Sequence, residues 1–295
     1  MPDRKAESEY MDYSLREWVR MARHHGSIAQ AAVSAQSQES GASPEAVRET
    51  MAHHLRCMQE SVKNGLDERL RSVSGLTGGQ AVLLLRHLQQ GKSLCGSLLG
   101  KAEAYALATA ECNACMGKIV AAPTAGACGI LPGAILAMME EKGVTEEQAV
   151  DALFVAAAVG QSIATQASIS GAEGGCQAEC GSAAAMAAAA LTHLEGGSPQ
   201  QCVDAAAFAI MNLLGLVCDP VGGLVEVPCV YRNVGSSGVA FTAADMVLSG
   251  ISCPIEPDEV ILAMKEVGDA LPASLRETGE GGCAACESIC ARLRM

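Results

Sequence analysis

Three cysteines in the second half of the chain have the surroundings expected of ligands to an inorganic centre. Cys176, Cys218 and Cys229 each stand beside Gly, Pro or an acidic residue at the edge of an apolar, helix-like run. Glycine lets the backbone approach a bulky group closely, and proline stiffens that approach. Thiolates favour zinc, copper(I) or iron-sulfur clusters. The stretch from Ser168 to Asn233 is therefore the candidate centre of the protein.

Two other groups of cysteines could also bind metal. Cys112 and Cys115 form a CxxC pair, but no second pair stands at zinc-finger spacing, so core thiols are favoured. The tail carries Cys283, Cys286 and Cys290. Their spacing fits a cluster or metal site, or a flexible end with incidental thiols. Most of the 14 cysteines are expected to be reduced, buried thiols.

Three small-residue segments could contribute polar contacts. SVSGLTGGQ (72–80) precedes the apolar run AVLLLRHL, and backbone amides at a helix start, together with hydroxyls, suit a carboxylate. An ordinary helix cap is the alternative. APTAGACG (122–129) leads into another predicted helix and could receive an anion in the same way. Lys92 stands next to a serine in a third break, but the glycine pattern of a P-loop is missing and a solvated lysine is the default.

Helices are the elements that would position these residues. Apolar periodicity with cap signals predicts helices, and no period-2 strand run of any length appears. The predicted helices cover about 13–36, 44–65, 101–116, 130–142, 145–160, 177–194, 200–216, 240–250 and 258–267. Cys176 lies near the start of the 177–194 helix, where the helix dipole lowers the pKa of a thiol. The fold class is predicted to be all-α.

Composition excludes several classes of function. The net charge of -13, with one Trp, four Tyr and three Phe, works against binding to nucleic acid or to anionic membranes. The longest apolar runs, such as 149–159, fall short of the roughly 20 residues that cross a bilayer. The first 14 residues are charged and polar, without the apolar region of a secretory signal. We therefore expect a cytoplasmic protein.

Taken in order, the motifs closely resemble the alpha subunit of the iron-sulfur-dependent L-serine dehydratase family. The resemblance covers nearly the whole chain. The matching segments are SGLTGG (74–79), KSLCG (92–96), APTAGACGILPG (122–133), SGAEGGCQAE (170–179), GLVCDPVGGLVEVPC (215–229), RN (232–233) and RETGEGG (276–282).

The resemblance implies a single large helical domain built around a 4Fe-4S cluster, with no pyridoxal phosphate. Residues 1–70 would form an N-terminal helical region and residues 71–295 the catalytic domain. The family's cluster ligands fall on Cys176, Cys218 and Cys229. Three protein ligands leave one iron open to act as a Lewis acid on the serine hydroxyl. Loss of the α proton and of water would then lead to pyruvate and ammonia.

Motif position and anion-binding chemistry together place the substrate, L-serine, in the small-residue segments. The predicted substrate-binding residues are Ser74, Thr77, Gly78, Lys92 and Thr124. The catalytic base is not assigned.

The resemblance also implies a partner. The family carries a serine- and histidine-containing segment on a second module, and no such SSHT-like motif is found here, so a separate beta subunit is predicted and could supply the base. Some single-chain relatives place a C-terminal cysteine on the open iron. Cys286 or Cys290 could play that part, although the family's GGLA reads GGCA at 281–284.

Three alternatives remain at this stage. The first is L-cysteine desulfhydrase activity on the same scaffold, because thiolate is also a good leaving group. The second is a non-catalytic iron-sulfur redox sensor that uses the tail cysteines. The third is a plain helical scaffold.

Overall fold

The structure is a computed structural model that describes residues 13–293. Within that range it contains helices and no strand, apart from one isolated bridge between Cys218 and Arg276. The all-α prediction is confirmed. The α-helices are α1 Leu15–His25, α2 Ile28–Ser40, α3 Pro44–Gly65, α4 Gln80–Gln89, α5 Gly96–Ala114, α6 Ile130–Lys142, α7 Glu146–Gln166, α8 Gly171–Gly174, α9 Ser182–Leu194, α10 Pro199–Leu213, α11 Cys229–Leu248, α12 Pro257–Ala270 and α13 Glu287–Leu293.

The helix ends follow local capping chemistry. The helical character predicted for 13–36 is confirmed, but it belongs to two helices, because Gly26 takes a φ of 96° and Ser27 caps a new helix by accepting a hydrogen bond from the Gln30 amide at 3.1 Å. Further along, the Ser43 hydroxyl accepts a hydrogen bond from the Ala46 amide at 3.3 Å and so caps the helix that begins at Pro44, where the sequence predicts a helix over 44–65.

The alanine-rich helix α9 lies at the centre of the molecule. It packs against α6, α7, α10 and α11, and its residues 182–192 are all buried. Small side chains allow close packing. A Cβ on Gly160 of α7, for example, would stand 3.0 Å from the Met186 sulfur. One continuous hydrophobic core runs from Leu15 to Met264, which confirms a single large domain. The predicted division at residue 70 stays a prediction.

Helix α7 is the one helix within residues 13–293 that is long and apolar enough to cross a bilayer, by length and composition alone. It spans 21 residues because it extends beyond the apolar run 149–159. However, 67% of its most apolar window is buried inside the protein, as in the core helix of a globular domain. The absence of a secretory signal was predicted mainly from residues 1–12, which lie outside the described residues.

The elements around the three candidate cysteines are irregular. A π-helical turn, Gln177–Gly181, precedes α9, and α11 begins at Cys229 rather than at about residue 240. The prediction of an irregular passage up to residue 240 is therefore wrong after Cys229. The Gly and Ser residues of 235–238 read as breakers in the sequence, but Ser236 and Ser237 are buried within the helix.

Candidate metal centre

The three predicted ligands come from three separate segments. Cys176 directly precedes the π-helical turn, Cys218 lies in the loop after α10, and Cys229 is the first residue of α11. Their relative exposures are 2%, 3% and 7%, so all three thiols are buried.

Gln177 holds the first two of these segments together. Its amide donates to the Leu216 carbonyl at 2.9 Å, and its side-chain oxygen accepts from the Gly215 amide at 2.8 Å. The loop that leads to Cys218 is therefore fixed against the start of the π-helical turn.

Glu179 joins the loop that contains Thr124 to the cysteine site. One carboxylate oxygen accepts a hydrogen bond from the Thr124 hydroxyl at 2.7 Å, and the other carboxylate oxygen lies 3.9 Å from the Cys218 sulfur. Gly171 allows this close approach, because a Cβ there would stand 2.7 Å from Glu179 Oε2 and 2.9 Å from the Cys218 sulfur. A larger residue at 171 would therefore displace the carboxylate or the thiol.

Arg232 supplies a positive charge at the site. It forms an ion pair with Asp219 at 2.7 Å and donates to the Val217 carbonyl at 2.7 Å. It also interacts with the sulfur of Cys176. The guanidinium is thus held by the Cys218 loop and favours negative charge on Cys176 and Cys229.

Asn233 fixes the other wall of the site. Its side-chain oxygen accepts from the Gly129 amide at 2.8 Å, and its side-chain nitrogen donates to the carbonyls of Gly126 at 2.7 Å and of Cys229 at 2.9 Å. Because Asn233 is 1% exposed, these bonds are shielded from water. The segment 122–129 is therefore tied to the first turn of α11.

Burial controls the acidity of the site's thiols and carboxyl group. Burial, together with the nearby charges of Cys176 and Glu179, raises the pKa of Cys229 to about 12 and raises that of Cys218 well above its usual range. Burial likewise raises the pKa of Glu179. The pKa of Cys176 is lowered, first by its hydrogen bond with Cys180 and then by Arg232. Binding of a metal must therefore displace protons from Cys218 and Cys229.

The residues present fit an iron-sulfur cluster better than a single metal ion. Within residues 13–293, no three His, Cys, Asp or Glu side chains are grouped to hold one ion. Cluster cysteines each bind a different iron, so they stand farther apart than the ligands of one ion. Three buried thiols on separate segments, near enough for their charges to interact, and a nearby guanidinium are compatible with that requirement.

The predicted substrate loop at 72–79 is held by two buried carboxylates. Glu226 accepts from the Ser74 amide at 3.0 Å and from the hydroxyls of Ser72 and Ser74. Glu111 accepts from three amides at the start of α4, those of Gly78 at 2.9 Å and of Gln80 and Ala81 at 3.0 Å. The amides expected to receive a substrate carboxylate therefore already bind a carboxylate of the protein itself.

The remaining predicted substrate residues differ in their surroundings. Thr77 is 2% exposed, and its hydroxyl has no hydrogen-bond partner among the described residues. Lys92 is exposed in the turn after α4. The hydroxyl of Thr124 donates a hydrogen bond to Glu179, whose other carboxylate oxygen lies 3.9 Å from the Cys218 sulfur. The substrate-binding assignment as a whole stays a prediction.

Sequence reasoning missed Glu111 and Glu226 as residues that hold the 72–79 loop. Each is a lone acid within an apolar run, ALATAECNAC for Glu111 and GLVEVPC for Glu226. Acidic residues are rarely fully buried unless they are paired. An acid inside an apolar run therefore indicates a buried carboxylate with a hydrogen-bonding partner, and this was the signal that the sequence offered.

The C-terminal segment packs against the Cys218 loop. The Cys218 amide donates to the Leu275 carbonyl at 2.9 Å, and the Glu277 amide donates to the Cys218 carbonyl at 2.7 Å. The Cys283 amide donates to Asp219 at 2.6 Å. The tail cysteines thus belong to a segment next to the site, while Cys286 is exposed and the Cys290 thiol donates to the Ala284 carbonyl at 3.3 Å.

Comparison with known proteins finds relatives within one family. Residues 23–284 match the family model described as "Serine dehydratase alpha chain". The chain is 49% identical to the probable L-serine dehydratase, alpha chain, of Bacillus subtilis over 82% of this chain and 80% of that protein. It is 41% identical to the L-serine dehydratase, alpha chain, of Peptoniphilus asaccharolyticus over 81% of this chain and 82% of that protein.

A longer relative matches over part of its own length. The chain is 36% identical to the L-serine dehydratase of Helicobacter pylori strain 26695 over 80% of this chain but only 53% of that protein. Taken with the family model and the two alpha chains, this shows that the chain belongs to the serine dehydratase alpha chain family.

Proposed function

We propose that the chain is the alpha subunit of an iron-sulfur-dependent L-serine dehydratase, a lyase that converts L-serine to pyruvate and ammonia. The observation that carries the proposal is that Cys176, Cys218 and Cys229, all buried and on three separate segments, lie close enough for their charges to interact. The names of the two relatives described as alpha chains support the substrate.

The three cysteines would hold a 4Fe-4S cluster, and no pyridoxal phosphate is required. When bound, such a cluster supplies a Lewis acid that makes the serine hydroxyl a better leaving group. Arg232 stabilises negative charge on Cys176, and burial of the three thiols limits the access of water to the ligands. The protein's own contribution is thus a buried set of three thiols with one guanidinium beside Cys176.

Thr124 and Glu179 provide the polar groups for orienting the substrate. The hydroxyl of Thr124 is fixed by Glu179 at 2.7 Å, while Asn233 holds the same loop at Gly126 and Gly129. A hydroxyl held in this way is pre-organised to donate or accept a hydrogen bond without a further loss of side-chain entropy. We propose Thr124, with Ser74, Thr77, Gly78 and Lys92, as the substrate-binding set.

A separate beta subunit would complete the enzyme in the cytoplasm and could supply the base that removes the α proton. The Helicobacter pylori relative supports this, because the chain matches only 53% of its length and so corresponds to one part of a longer polypeptide.

The test is anaerobic reconstitution of the full chain with iron and sulfide, with and without a beta-type partner chain, followed by measurement of pyruvate formed from L-serine. Pyruvate is expected with the partner present. L-cysteine is assayed in parallel and should be a poorer substrate. Absence of pyruvate from the iron-loaded complex would contradict the proposed reaction, and full activity of the chain alone would contradict only the proposed partner.

A further inference from the structure

A fourth thiol lies at the site, outside the predicted ligand set. Cys180 is four residues after Cys176, and the two sulfurs are 3.4 Å apart. Cys180 is 0% exposed and Cys176 is 2% exposed. In the part of the chain that the structure describes, no other two cysteine sulfurs make such a contact. We propose that Cys176 and Cys180 are an oxidation site that forms a reversible disulfide in the cluster-free chain.

The backbone geometry allows this bond. Residues four apart on a helical turn are separated by about 6 Å along the axis. Disulfides join Cα atoms about 4.4–6.8 Å apart, with sulfurs bonded at about 2.05 Å. The two sulfurs must therefore approach by little more than about 1 Å. Rotation of the two side chains is sufficient for this, and the π-helical turn that contains Cys180 need not unfold.

The oxidant must be small because both sulfurs are buried. We assign a hydroperoxide to this role. The Cys176 thiolate attacks one peroxide oxygen, so that the O–O bond breaks, a sulfenic acid forms and hydroxide leaves. The Cys180 sulfur then attacks the Cys176 sulfur, the S–S bond forms, and the sulfenic oxygen leaves as a second hydroxide. The protons released by the two thiols convert both hydroxides to water, so two thiols and one hydrogen peroxide give one disulfide and two waters.

The consequence for the cluster rests on the proposed function, whereas the bond itself does not. A disulfide removes Cys176 from the set of available thiolates, and reduction by a thiol restores it. The disulfide also protects Cys176 from irreversible oxidation to sulfinic acid. The pair would thus keep the empty site in a form that can be reloaded with iron.

The sequence offers a direct way to detect the bond. Cleavage after glutamate separates the two cysteines, because Glu173, Glu179 and Glu195 release GGCQAE with Cys176 and a second peptide, 180–195, with Cys180. The full iron-free chain is treated with hydrogen peroxide, its remaining thiols are blocked, and the digest is analysed by mass spectrometry. We expect the two peptides to be joined and to separate after reduction.

Two variants complete the test. Cys180→Val should abolish the linked peptide and leave sulfinic acid on Cys176, whereas Cys202→Ser, which removes another buried thiol, should leave the link unchanged. Oxidised wild type should also take up less iron on reconstitution than the reduced chain, and reduction should restore the uptake. Separate peptides after peroxide, or Cys176 linked to a different cysteine, would overturn the proposal whether or not the chain forms pyruvate.

Discussion

Glu111 offers a quantitative test of how the 72–79 loop is held. Its buried carboxylate accepts hydrogen bonds from three backbone amides at the start of α4. Hydrogen bonds to a charged group contribute about 1.5–3 kcal/mol each. Removing the carboxylate also relieves the desolvation of a buried charge, so we expect Glu111→Ala to lower the free energy of unfolding by a net of about 3–5 kcal/mol.

The effect should be visible in both chemical and thermal unfolding. The entropy of unfolding for a chain of this size is about 0.6 kcal/mol/K, so the midpoint should fall by about 5–8 °C. Glu111→Gln keeps one acceptor oxygen and should give an intermediate loss. Glu103→Ala, on the same helix α5, is the matched control and should lie within about 1 kcal/mol of wild type.

Circular dichroism during urea unfolding provides the measurement. A loss below about 1 kcal/mol in Glu111→Ala, equal to that of the control, would show that the carboxylate does not hold the amides. The start of α4 would then be free to bind an external anion, as the sequence first indicated.

Three further predictions concern the site and its surroundings. Gly171→Ala should lower the iron bound after reconstitution, because its Cβ would stand 2.9 Å from the Cys218 sulfur and displace that thiol; normal iron content would show that the close approach at Gly171 is not needed. Burial lowers the pKa of His193 in the folded chain below the value of about 6.5 in the unfolded chain. As the pH drops below about 6.5, the unfolded chain therefore binds a proton at His193 more readily than the folded chain does, and the free energy of unfolding should fall. His193→Gln should flatten that decline in urea unfolding, and an unchanged pH profile would contradict the assignment. Thr124→Ala and Lys92→Ala should each raise KM for L-serine, and unchanged kinetics in either would remove that residue from the substrate set.

Much of the fold was predictable because its signals are local. Ser43 followed by Pro44 marks a helix start, and the alanine run after residue 182 marks a helix that packs closely on several sides. The helix break at Gly26 was missed because periodicity continued across it. The start of α11 at Cys229 was missed because Gly and Ser at 235–238 have low helix propensity, which tertiary packing overrides.

The site was predictable only in part. The flanking residues of Cys176, Cys218 and Cys229 marked them as candidates, but the contacts that hold them are long-range. Glu226 binds a loop about 150 residues earlier in the chain, and no local pattern encodes such a pairing. The hydrogen bonds of Asn233 with Gly126 and Gly129 are also long-range. The sequence placed Asn233 in a motif, but it did not indicate these two hydrogen-bond partners.

Three thiolates from distant parts of the chain are proposed to hold one cluster. The most direct measurement is the iron and sulfide content of the full chain after anaerobic reconstitution, for wild type and for Cys176→Ser, Cys218→Ser and Cys229→Ser, with Cys202→Ser as the control. We predict that each of the three variants loses most of its iron, while the control keeps the wild-type content. Wild-type iron and sulfide content in any of the three would contradict the claim.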